Sequence, residues 1–336
     1  MSLQHYQPRN ILVTGGAGFI GANFIRYLLA HDPKVSIFNL DALTYAGSLK
    51  NLDQLPRPER HTFIQGDICD ASLVSDILLR HNIDTIIHFA AESHVDRSIQ
   101  GPAPFIQTNV VGTFTLLEAA RHYWQTQKNW NQTQCRFHHV STDEVYGSLT
   151  ATDLPFTEKT PYAPNSPYSA SKAGSDHLVR AYFHTYHLPV TMSNCSNNYG
   201  PYQHPEKLIP TIILACQTLQ PIPIYGDGSN VRDWLYVEDH CRGIDLIVKR
   251  GQLGETYNIG GSHELNNITV AQSVCDLMDR LSPQPKPHHH LIQFVADRPG
   301  HDWRYAIDSR KITQELNWQS AETFKEGLEK TIRFYS

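Results

Sequence analysis

The sequence predicts an α/β fold in which a doubly wound parallel sheet is followed by a smaller C-terminal α/β lobe. Three observations support this fold class. A glycine-rich turn follows the first predicted strand, and apolar strand runs then alternate with helical stretches up to about residue 195. Beyond that point the pattern is less regular, with more proline and shorter strands. Alternation of strand and helix is typical of a parallel sheet covered on both faces.

The apolar periodicity places each element in turn. The first strand is predicted over 11–13, and a helix with apolar residues on one face follows it. Further strands are predicted at 35–40, 62–65, 85–89, 136–140 and 190–194, with long helices at 113–123 and 169–186. Short strands at 222–225 and 256–259 are assigned to the second lobe. We therefore predict a first lobe of residues 1–195, to which later segments such as 231–248 return, and a second lobe of residues 196–336.

Composition and charge exclude several classes of protein. The chain has 336 residues, 40% of them hydrophobic and 18% charged, which is typical of a globular protein. A net charge of −5 gives no general attraction to nucleic acid or to an anionic membrane. Six scattered cysteines without a C-x-x-C pair indicate reduced thiols. The first ten residues lack the apolar core of a signal peptide, so we expect a cytoplasmic protein.

A proline-rich segment, 283–287, precedes three consecutive histidines, His288, His289 and His290. The composition predicts a surface loop. Neighbouring histidines in one loop rarely converge on one ion, and no metal site is expected there.

A dinucleotide site is predicted at the first strand–helix turn. Gly15, Gly18 and Gly21 allow a tight turn, the approach of backbone N–H groups to a pyrophosphate and close helix packing. Asp41 ends the second strand, where a carboxylate binds ribose hydroxyls and repels a 2′-phosphate, which favours NAD over NADP. Asp67, with Ile68, ends the next strand, where an acid can face the adenine. This combination predicts an NAD-binding Rossmann unit.

Tyr168 and Lys172 are four residues apart on a predicted helix and therefore share one face. A free tyrosine has a pKa near 10. A neighbouring cation stabilises the phenolate and lowers that pKa, so this pair is expected to act as a general base. In isolation the same spacing also fits an ordinary surface helix.

Thr142, Asp143 and Glu144 follow directly after a predicted strand. They therefore fall at the carboxyl edge of the sheet, where open α/β sheets bind ligands. A dehydration needs one acid to protonate a leaving hydroxyl and one carboxylate to remove a carbon-bound proton. By themselves, two adjacent acids fit a solvated turn better.

These features resemble the extended short-chain dehydrogenase/reductase superfamily acting on nucleotide sugars. Within it, nearly the whole chain resembles the dTDP-glucose 4,6-dehydratase family. The matching segments are DALTYAG at 41–47, AAESHVDRS at 90–98, STDEVYG at 141–147, SNNYGP at 196–201, PEKLIP at 205–210, RDWLYVEDH at 232–240 and DRPGH at 297–301. Gln203 and His204 depart from the His-Phe expected before Pro205.

The resemblance implies an internal oxidation and reduction. Tyr168 takes the proton of the sugar 4-hydroxyl while hydride leaves carbon 4, and Thr142 hydrogen-bonds that oxygen. Glu144 then removes the proton of carbon 5, Asp143 protonates the hydroxyl leaving carbon 6, and hydride returns to carbon 6. The implied product is dTDP-4-keto-6-deoxyglucose, an intermediate for rhamnose-type deoxysugars.

The resemblance also implies binding residues. The cofactor contacts are Gly15, Gly18, Phe19, Ile20, Gly21, Asp41, Leu43, Thr44, Asp67, Ile68, Ala90, Ala91, Ser93, Thr108, Tyr168, Lys172 and Asn198. The contacts to the sugar nucleotide are Ser93, Thr142, Asn197, Lys207, Leu208, Pro223, Tyr225, Arg232, Asn267, Arg298 and His301. A homodimer is implied as well, with helices 113–123 and 169–186 as its candidate interface.

Two other readings stay open at this point. The chain could dehydrate or epimerise another nucleotide sugar, such as CDP- or UDP-glucose, because base selectivity depends on loop geometry. It could also be a non-catalytic NAD-sensing relative, although such proteins typically lose the tyrosine or lysine that this chain retains.

Overall fold

The computed structural model describes residues 5–297 and 300–336. Its strands are β1 (Asn10–Thr14), β2 (Ser36–Asp41), β3 (His61–Gln65), β4 (Thr85–His88), β5 (Arg136–Thr142), β6 (Val190–Cys195), β7 (Asn197–Tyr199), β8 (Ile222–Tyr225), β9 (Val231–Tyr236), β10 (Thr256–Ile259), β11 (Glu264–Asn266) and β12 (Ile292–Val295). Seven of them form one parallel sheet in the order β10-β6-β5-β4-β1-β2-β3. This confirms the doubly wound α/β fold.

The helices cover both faces of that sheet and build the second lobe. They are α1 (Phe19–His31), α2 (Ala71–Arg80), α3 (Val95–Gln100), α4 (Ala103–Phe105), α5 (Thr113–Arg121), α6 (Pro167–Tyr186), α7 (Leu208–Thr218), α8 (Val237–Arg250), α9 (Asn267–Leu281), α10 (Arg310–Leu316) and α11 (Phe324–Tyr335). Two smaller sheets complete the fold. One has the order β11-β9-β7, and the other pairs β12 with β8.

The large sheet is buried on both faces, as an all-parallel sheet requires. One apolar cluster joins α1 to α8, with Phe24 and Ile244 among its members, and a second joins α2, α5 and α6, with Leu116 and Val179. All seven residues of β5 are buried. A third cluster, around Ile212 and Val270, forms the core of the second lobe. The sheet is thus a rigid base whose carboxyl ends can hold a site.

The strands predicted in the first 195 residues are confirmed, with small differences at their ends. The predicted helix 169–186 begins at Pro167, where Ser166 and Ser169 form a reciprocal capping box. The predicted helix 113–123 is part of a longer helical run. Short π-helical stretches, Ile106–Gly112 and His122–Gln127, extend α5 at both ends. Propensity did not reveal these stretches, because the same residues also suit an ordinary helix.

The assignment of the strand 256–259 to the second lobe was wrong. The strand β10 pairs in parallel with β6 and becomes the edge of the large sheet, with Thr256 opposite Met192 and Ile259 opposite Cys195. Its apolar side chains are buried there against the cluster that α8 shares with α1. Strand pairing between segments about sixty residues apart leaves no local pattern. As a domain boundary, residue 195 stays a prediction.

The histidine run is also less exposed than predicted. Residues His288–Leu291 form a 3₁₀ turn in which His288 is buried, with its Nδ1 at 2.5 Å from Asp279 Oδ1. The Nε2 atom of His289 lies 2.7 Å from Asp276 Oδ1. These contacts hold the segment against α9 in the second lobe. Among residues 5–297 and 300–336, no three His, Cys, Asp or Glu side chains are grouped to hold a metal ion.

All six cysteines are free thiols. In the described parts of the chain, none of the helices has both the length and the apolar character needed to cross a membrane.

Candidate active site

The carboxyl ends of β1, β2, β4, β5 and β6 open into one cleft. Most of the predicted site residues line it. They are Gly15, Gly18, Phe19, Ile20, Gly21, Asp41, Thr44, Asp67, Ile68, Ala90, Ala91, Ser93, Thr108, Thr142, Asp143, Glu144, Tyr168, Lys172, Asn197, Asn198 and Lys207. The fold therefore brings the predicted dinucleotide residues and the predicted catalytic residues into one space.

The glycine-rich turn is built for close backbone approach. Gly15 has φ +72°, and a Cβ there would lie 2.6 Å from the backbone nitrogen of Ala90. A Cβ on Gly21 would lie 2.3 Å from the Gly15 carbonyl oxygen. Gly18 starts α1 without a side-chain cap, so no side chain of the turn covers the N–H groups of the helix start. Such an N-terminus attracts a phosphate group.

Asp41 is held firmly at the end of β2. Its Oδ2 accepts a hydrogen bond from the Ala17 N–H at 2.9 Å, and its Oδ1 accepts one from the Leu43 N–H at 2.8 Å. These two bonds connect the carboxylate to the glycine turn and to the loop after β2. The geometry suits a carboxylate that faces a ribose next to the pyrophosphate turn. The residues present therefore fit a dinucleotide.

Thr142 connects the reactive groups at the end of β5. Its hydroxyl lies near the Tyr168 side chain, whose pKa it lowers, and donates to Asp143 Oδ1 at 3.4 Å. It also accepts the N–H of Glu144 at 3.3 Å and so caps the 3₁₀ turn Asp143–Tyr146. One hydroxyl thereby sets the position of the tyrosine and both acids.

Asp143 is buried, and its Oδ2 has no hydrogen-bond partner within the described residues. Burial raises the pKa of this carboxyl group well above its usual value, and the nearby Glu144 and Asp233 raise it further. Arg232 and the hydrogen bond with Thr142 oppose the rise. A raised pKa favours the protonated form of the carboxyl group, which is the form that can act as an acid.

Tyr168 and Lys172 lie on α6, and both are buried. We expected the lysine to lower the pKa of the tyrosine. In the chain alone, burial raises the pKa of Tyr168 well above 10, and Glu144 adds to the rise, while the hydrogen bond with Thr142 opposes it. The Lys172 ammonium donates to the Val140 carbonyl oxygen at 2.9 Å. Burial also lowers the pKa of Lys172, which Asp176 counteracts.

The sequence analysis missed several residues of this cleft. Glu92, Gln203, His204 and Glu206 line it but were not proposed as contacts. Asn109 was missed as well. Its side-chain NH₂ donates to Ser171 Oγ at 2.8 Å and to the Glu92 carbonyl oxygen at 3.0 Å, which ties α6 to the segment after β4. The PEKLIP segment was a usable signal for Glu206, whereas nothing local marked Asn109.

Other predicted substrate residues do not belong to the described lining of this cleft. They are Leu208, Pro223, Tyr225, Arg232, Asn267 and His301, and the predicted cofactor contact Leu43 does not belong to that lining either. Arg232 is buried, donates to the Asp302 carbonyl oxygen at 2.9 Å and lies over the Tyr305 ring. His301 Nδ1 lies 2.6 Å from Asp297 Oδ1, and its ring packs edge-on against Tyr225. Arg298 lies outside the described residues.

Comparison with known proteins agrees with this geometry. The family model described as GDP-mannose 4,6 dehydratase matches residues 12–331. A dTDP-glucose 4,6-dehydratase from Shigella flexneri is 55% identical over 333 residues, which cover 97% of this chain and 92% of that protein. The chain belongs to the dTDP-glucose 4,6-dehydratase family.

Solved structures of dTDP-glucose 4,6-dehydratases share the fold of this family member. The protein from Streptomyces venezuelae, solved with NAD bound, is 47% identical with a TM-score of 0.88, covering 97% of this chain and 96% of that one. The protein from Bacillus anthracis, in complex with NAD, is 45% identical with a TM-score of 0.86 and the same coverage. The cleft of this chain is lined by Tyr168, Lys172, Asp143 and Glu144, the residues predicted to be catalytic.

Proposed function

We propose that this chain catalyses the NAD-dependent 4,6-dehydration of dTDP-glucose to dTDP-4-keto-6-deoxyglucose and water. The observation that carries the proposal is the position of Thr142. Its hydroxyl donates to the buried Asp143 carboxyl group, whose pKa is raised, and accepts the N–H of Glu144. It also lies near the buried Tyr168 and opposes the rise in the pKa of that tyrosine. A 4-epimerase needs the tyrosine and lysine but no second acid–base pair. The two acids therefore favour dehydration.

NAD, when bound, supplies the hydride acceptor for carbon 4 and the hydride donor for carbon 6, and its positively charged ring favours the phenolate. The glycine turn and Asp41 would hold its pyrophosphate and adenosine ribose. Asp67 and Ile68 would lie at the adenine, and Ala90, Ala91, Thr108 and Asn198 would line the rest of the dinucleotide.

In the first step, Tyr168 accepts the proton of the 4-hydroxyl, and Thr142 donates a hydrogen bond to the same oxygen. Lys172 lies one helical turn from the tyrosine and supplies positive charge in a buried setting. Burial raises the pKa of Tyr168 in the chain alone, so the positive charges of Lys172 and of bound NAD would have to lower that pKa for the tyrosine to act as the base.

In the second step, the new ketone at carbon 4 acidifies the proton on carbon 5. Glu144 removes that proton, and Asp143 gives its own proton to the hydroxyl that leaves carbon 6 as water. Burial and Glu144 raise the pKa of the Asp143 carboxyl group and so favour the protonated form that this step requires. A proton then returns to carbon 5, and the product is a 4-keto-6-deoxy sugar nucleotide.

The nucleotide half of the substrate is assigned to residues around the second lobe. Ser93, Asn197 and Lys207 lie in the cleft and would hold the sugar and the diphosphate. Arginine suits a diphosphate because its planar fork binds two oxygens. On that basis Arg232 and Arg298 are proposed for the phosphates, and Leu208, Pro223, Tyr225, Asn267 and His301 for the nucleoside. This division of roles corresponds to a cofactor lobe of residues 1–195 and a substrate lobe of 196–336.

A panel of nucleotide sugars tests the function. The protein is incubated with dTDP-glucose, CDP-glucose, UDP-glucose and GDP-mannose, and keto product is measured by its ultraviolet absorbance in alkali. We expect product from dTDP-glucose and much less from the others. Absence of keto product from all four would overturn the dehydratase assignment, and a preference for another nucleotide would correct the substrate.

A homodimer and a cytoplasmic location complete the proposal. The helical run around α5 exposes Ile106, Val111 and Phe114, an apolar stripe that suits contact with a second copy. Sedimentation of the protein should give about twice the 38.1 kDa mass of the chain. The six free cysteines suit a reducing compartment.

A further inference from the structure

A buried polar network lies beneath Tyr168 and Lys172, on the same helix. Asp176 follows Lys172 by one turn of α6 and is 2% exposed. The assigned reaction does not use it, since Asp176 is not part of the cleft lining within the described residues. A carboxylate buried this deeply requires compensation by charge and by hydrogen bonds.

Three neutral groups surround the carboxylate. The Ser141 hydroxyl donates to its Oδ2 at 2.8 Å, and the Tyr162 hydroxyl donates to the same atom at 3.0 Å. His139 Nε2 lies 3.1 Å from Oδ1. Burial lowers the pKa of His139 well below its usual range, so its ring is neutral and can donate from Nε2. These contacts favour the ionised form of Asp176.

Lys172 needs an anion, because it is 4% exposed and, within residues 5–297 and 300–336, the one hydrogen bond of its Nζ goes to the neutral Val140 carbonyl group at 2.9 Å. Two groups of the described chain favour its charged form, Asp176 and Cys195. Burial raises the pKa of the Cys195 thiol, so that group is neutral. Asp176 is therefore the negative charge available to Lys172.

The same carboxylate is connected to the reactive end of β5. Ser141 donates to it, and the next residue is Thr142, whose hydroxyl contacts Tyr168. The Lys172 ammonium donates to Val140, on the other side of Ser141. Asp176 is thus connected to Tyr168 in two ways, through Lys172 and through the end of β5.

We propose that Asp176 is a positioning residue for the proposed dehydratase reaction: it keeps Lys172 an ammonium ion beside Tyr168 and holds the end of β5 that carries Thr142. This inference rests on the proposed function. The titratable groups that face Asp176 are Lys172 and His177 on α6, His139 on β5, and Tyr146 and Tyr162 from the segment after β5.

The test is Asp176→Asn, which keeps the shape and removes the charge. The pKa of Lys172 should then fall, by about one to three units for the loss of a close opposite charge. If the reaction needs the ammonium, the alkaline limb of the kcat/KM profile of the NAD-bound enzyme moves down by the same amount. A role in packing alone would lower activity equally at every pH.

Asp245→Asn is the matched control. Asp245 pairs with Lys249 at 2.8 Å within α8, as another largely buried aspartate one helical turn from a lysine. It lies outside the proposed machinery, and its loss should leave the alkaline limb where it is. The inference would be overturned if the alkaline limb of the kcat/KM profile were the same in wild type and Asp176→Asn. It would also be overturned if the limb shifted equally in Asp176→Asn and Asp245→Asn.

A second measurement does not depend on activity. A lysine whose folded-state pKa is depressed makes stability rise with pH, because the unfolded chain then binds more protons. From about pH 7 to about pH 10, the unfolding free energy of Asp176→Asn should therefore rise relative to wild type. Parallel curves would overturn the inference. If wild type makes no keto product, the proposed function fails instead, and these curves still report on the coupling of Asp176 and Lys172.

Discussion

Asp143 and Asp176 are both 2% exposed, but they lie in different surroundings. Asp143 faces the cleft with one oxygen unpartnered in the described chain and with Glu144 and Asp233 nearby, so its pKa is raised well above the usual range. Asp176 lies beneath the cleft among three hydrogen-bond donors and a lysine, and burial raises its pKa only to about 6. The same residue type at the same depth is an acid in one place and an anion in the other, because of its neighbours.

Among the variants of the cleft, Tyr168→Phe should lower activity the most. The proposed base is removed, so kcat/KM should fall by about 10² to 10⁴-fold. Bound NAD should be retained, because the glycine turn and Asp41 are unchanged. Keto product and the absorbance of reduced cofactor measure the loss of activity, and the NAD content of the variant measures its retention of the cofactor. Tyr257→Phe, a buried tyrosine on β10, serves as the control. A Tyr168→Phe enzyme that still reduces its cofactor would contradict the assignment.

Glu144→Gln should separate oxidation from elimination. Carbon 4 is still oxidised, but the proton on carbon 5 is no longer removed, so water loss should slow by about 10² to 10³-fold. In deuterated water, carbon 5 should take up little deuterium. Reduced cofactor should accumulate with substrate. Dehydration at the wild-type rate would show that another group is the base.

Asp143→Asn should slow the reaction by about 10²-fold, since the leaving hydroxyl loses its acid. Glu144 is intact in this variant, so carbon 5 should exchange with deuterium even though water leaves slowly. That pattern is the opposite of the one expected for Glu144→Gln. Loss of exchange in Asp143→Asn would mean that the two acids do not have separate roles.

The smallest effect concerns stability and compares the two aspartates directly. Between pH 3.8 and about 6, folded Asp176 keeps a proton that the unfolded chain has released, so its contribution to stability falls as pH rises through this window. In Asp176→Asn this loss of stability is absent. By about pH 6 the unfolding free energy of the variant should therefore have gained roughly 1 to 3 kcal/mol relative to that of wild type. For Asp143→Asn the gain should continue at higher pH. Urea denaturation at a series of pH values measures the unfolding free energies of both variants. If the two variants gained stability over the same pH range, the comparison would be contradicted.

Much of the cleft could be predicted because its residues lie next to local signals. Gly15 and Gly21 follow a strand and start a helix, and Asp41 and Thr142 end strands. Parallel strands bring their carboxyl ends to one edge, so chain position alone predicts that these residues meet. The spacing of Tyr168 and Lys172 likewise places them on one helix face.

Other features depend on contacts between distant segments. Strand β10 joins β6 although no local pattern distinguishes it from a strand of the second lobe. Asn109 connects α6 to the Glu92 segment through hydrogen bonds that span as many as 62 residues. The burial of His288 against Asp279 was missed for the same reason, since composition predicted a loop and a tertiary contact decided otherwise.

The sequence by itself determined which groups this protein has: a turn for a dinucleotide, a tyrosine with a lysine, and two acids after a strand. Residue type, spacing and strand ends are local properties, so they can be recognised in the sequence. Only the tertiary structure decided the protonation of those groups. The pKa of Asp143 is raised well above its usual range and that of Asp176 only to about 6, because the neighbouring charges and hydrogen bonds differ at the two sites. Both depend on segments that meet only when the chain has folded.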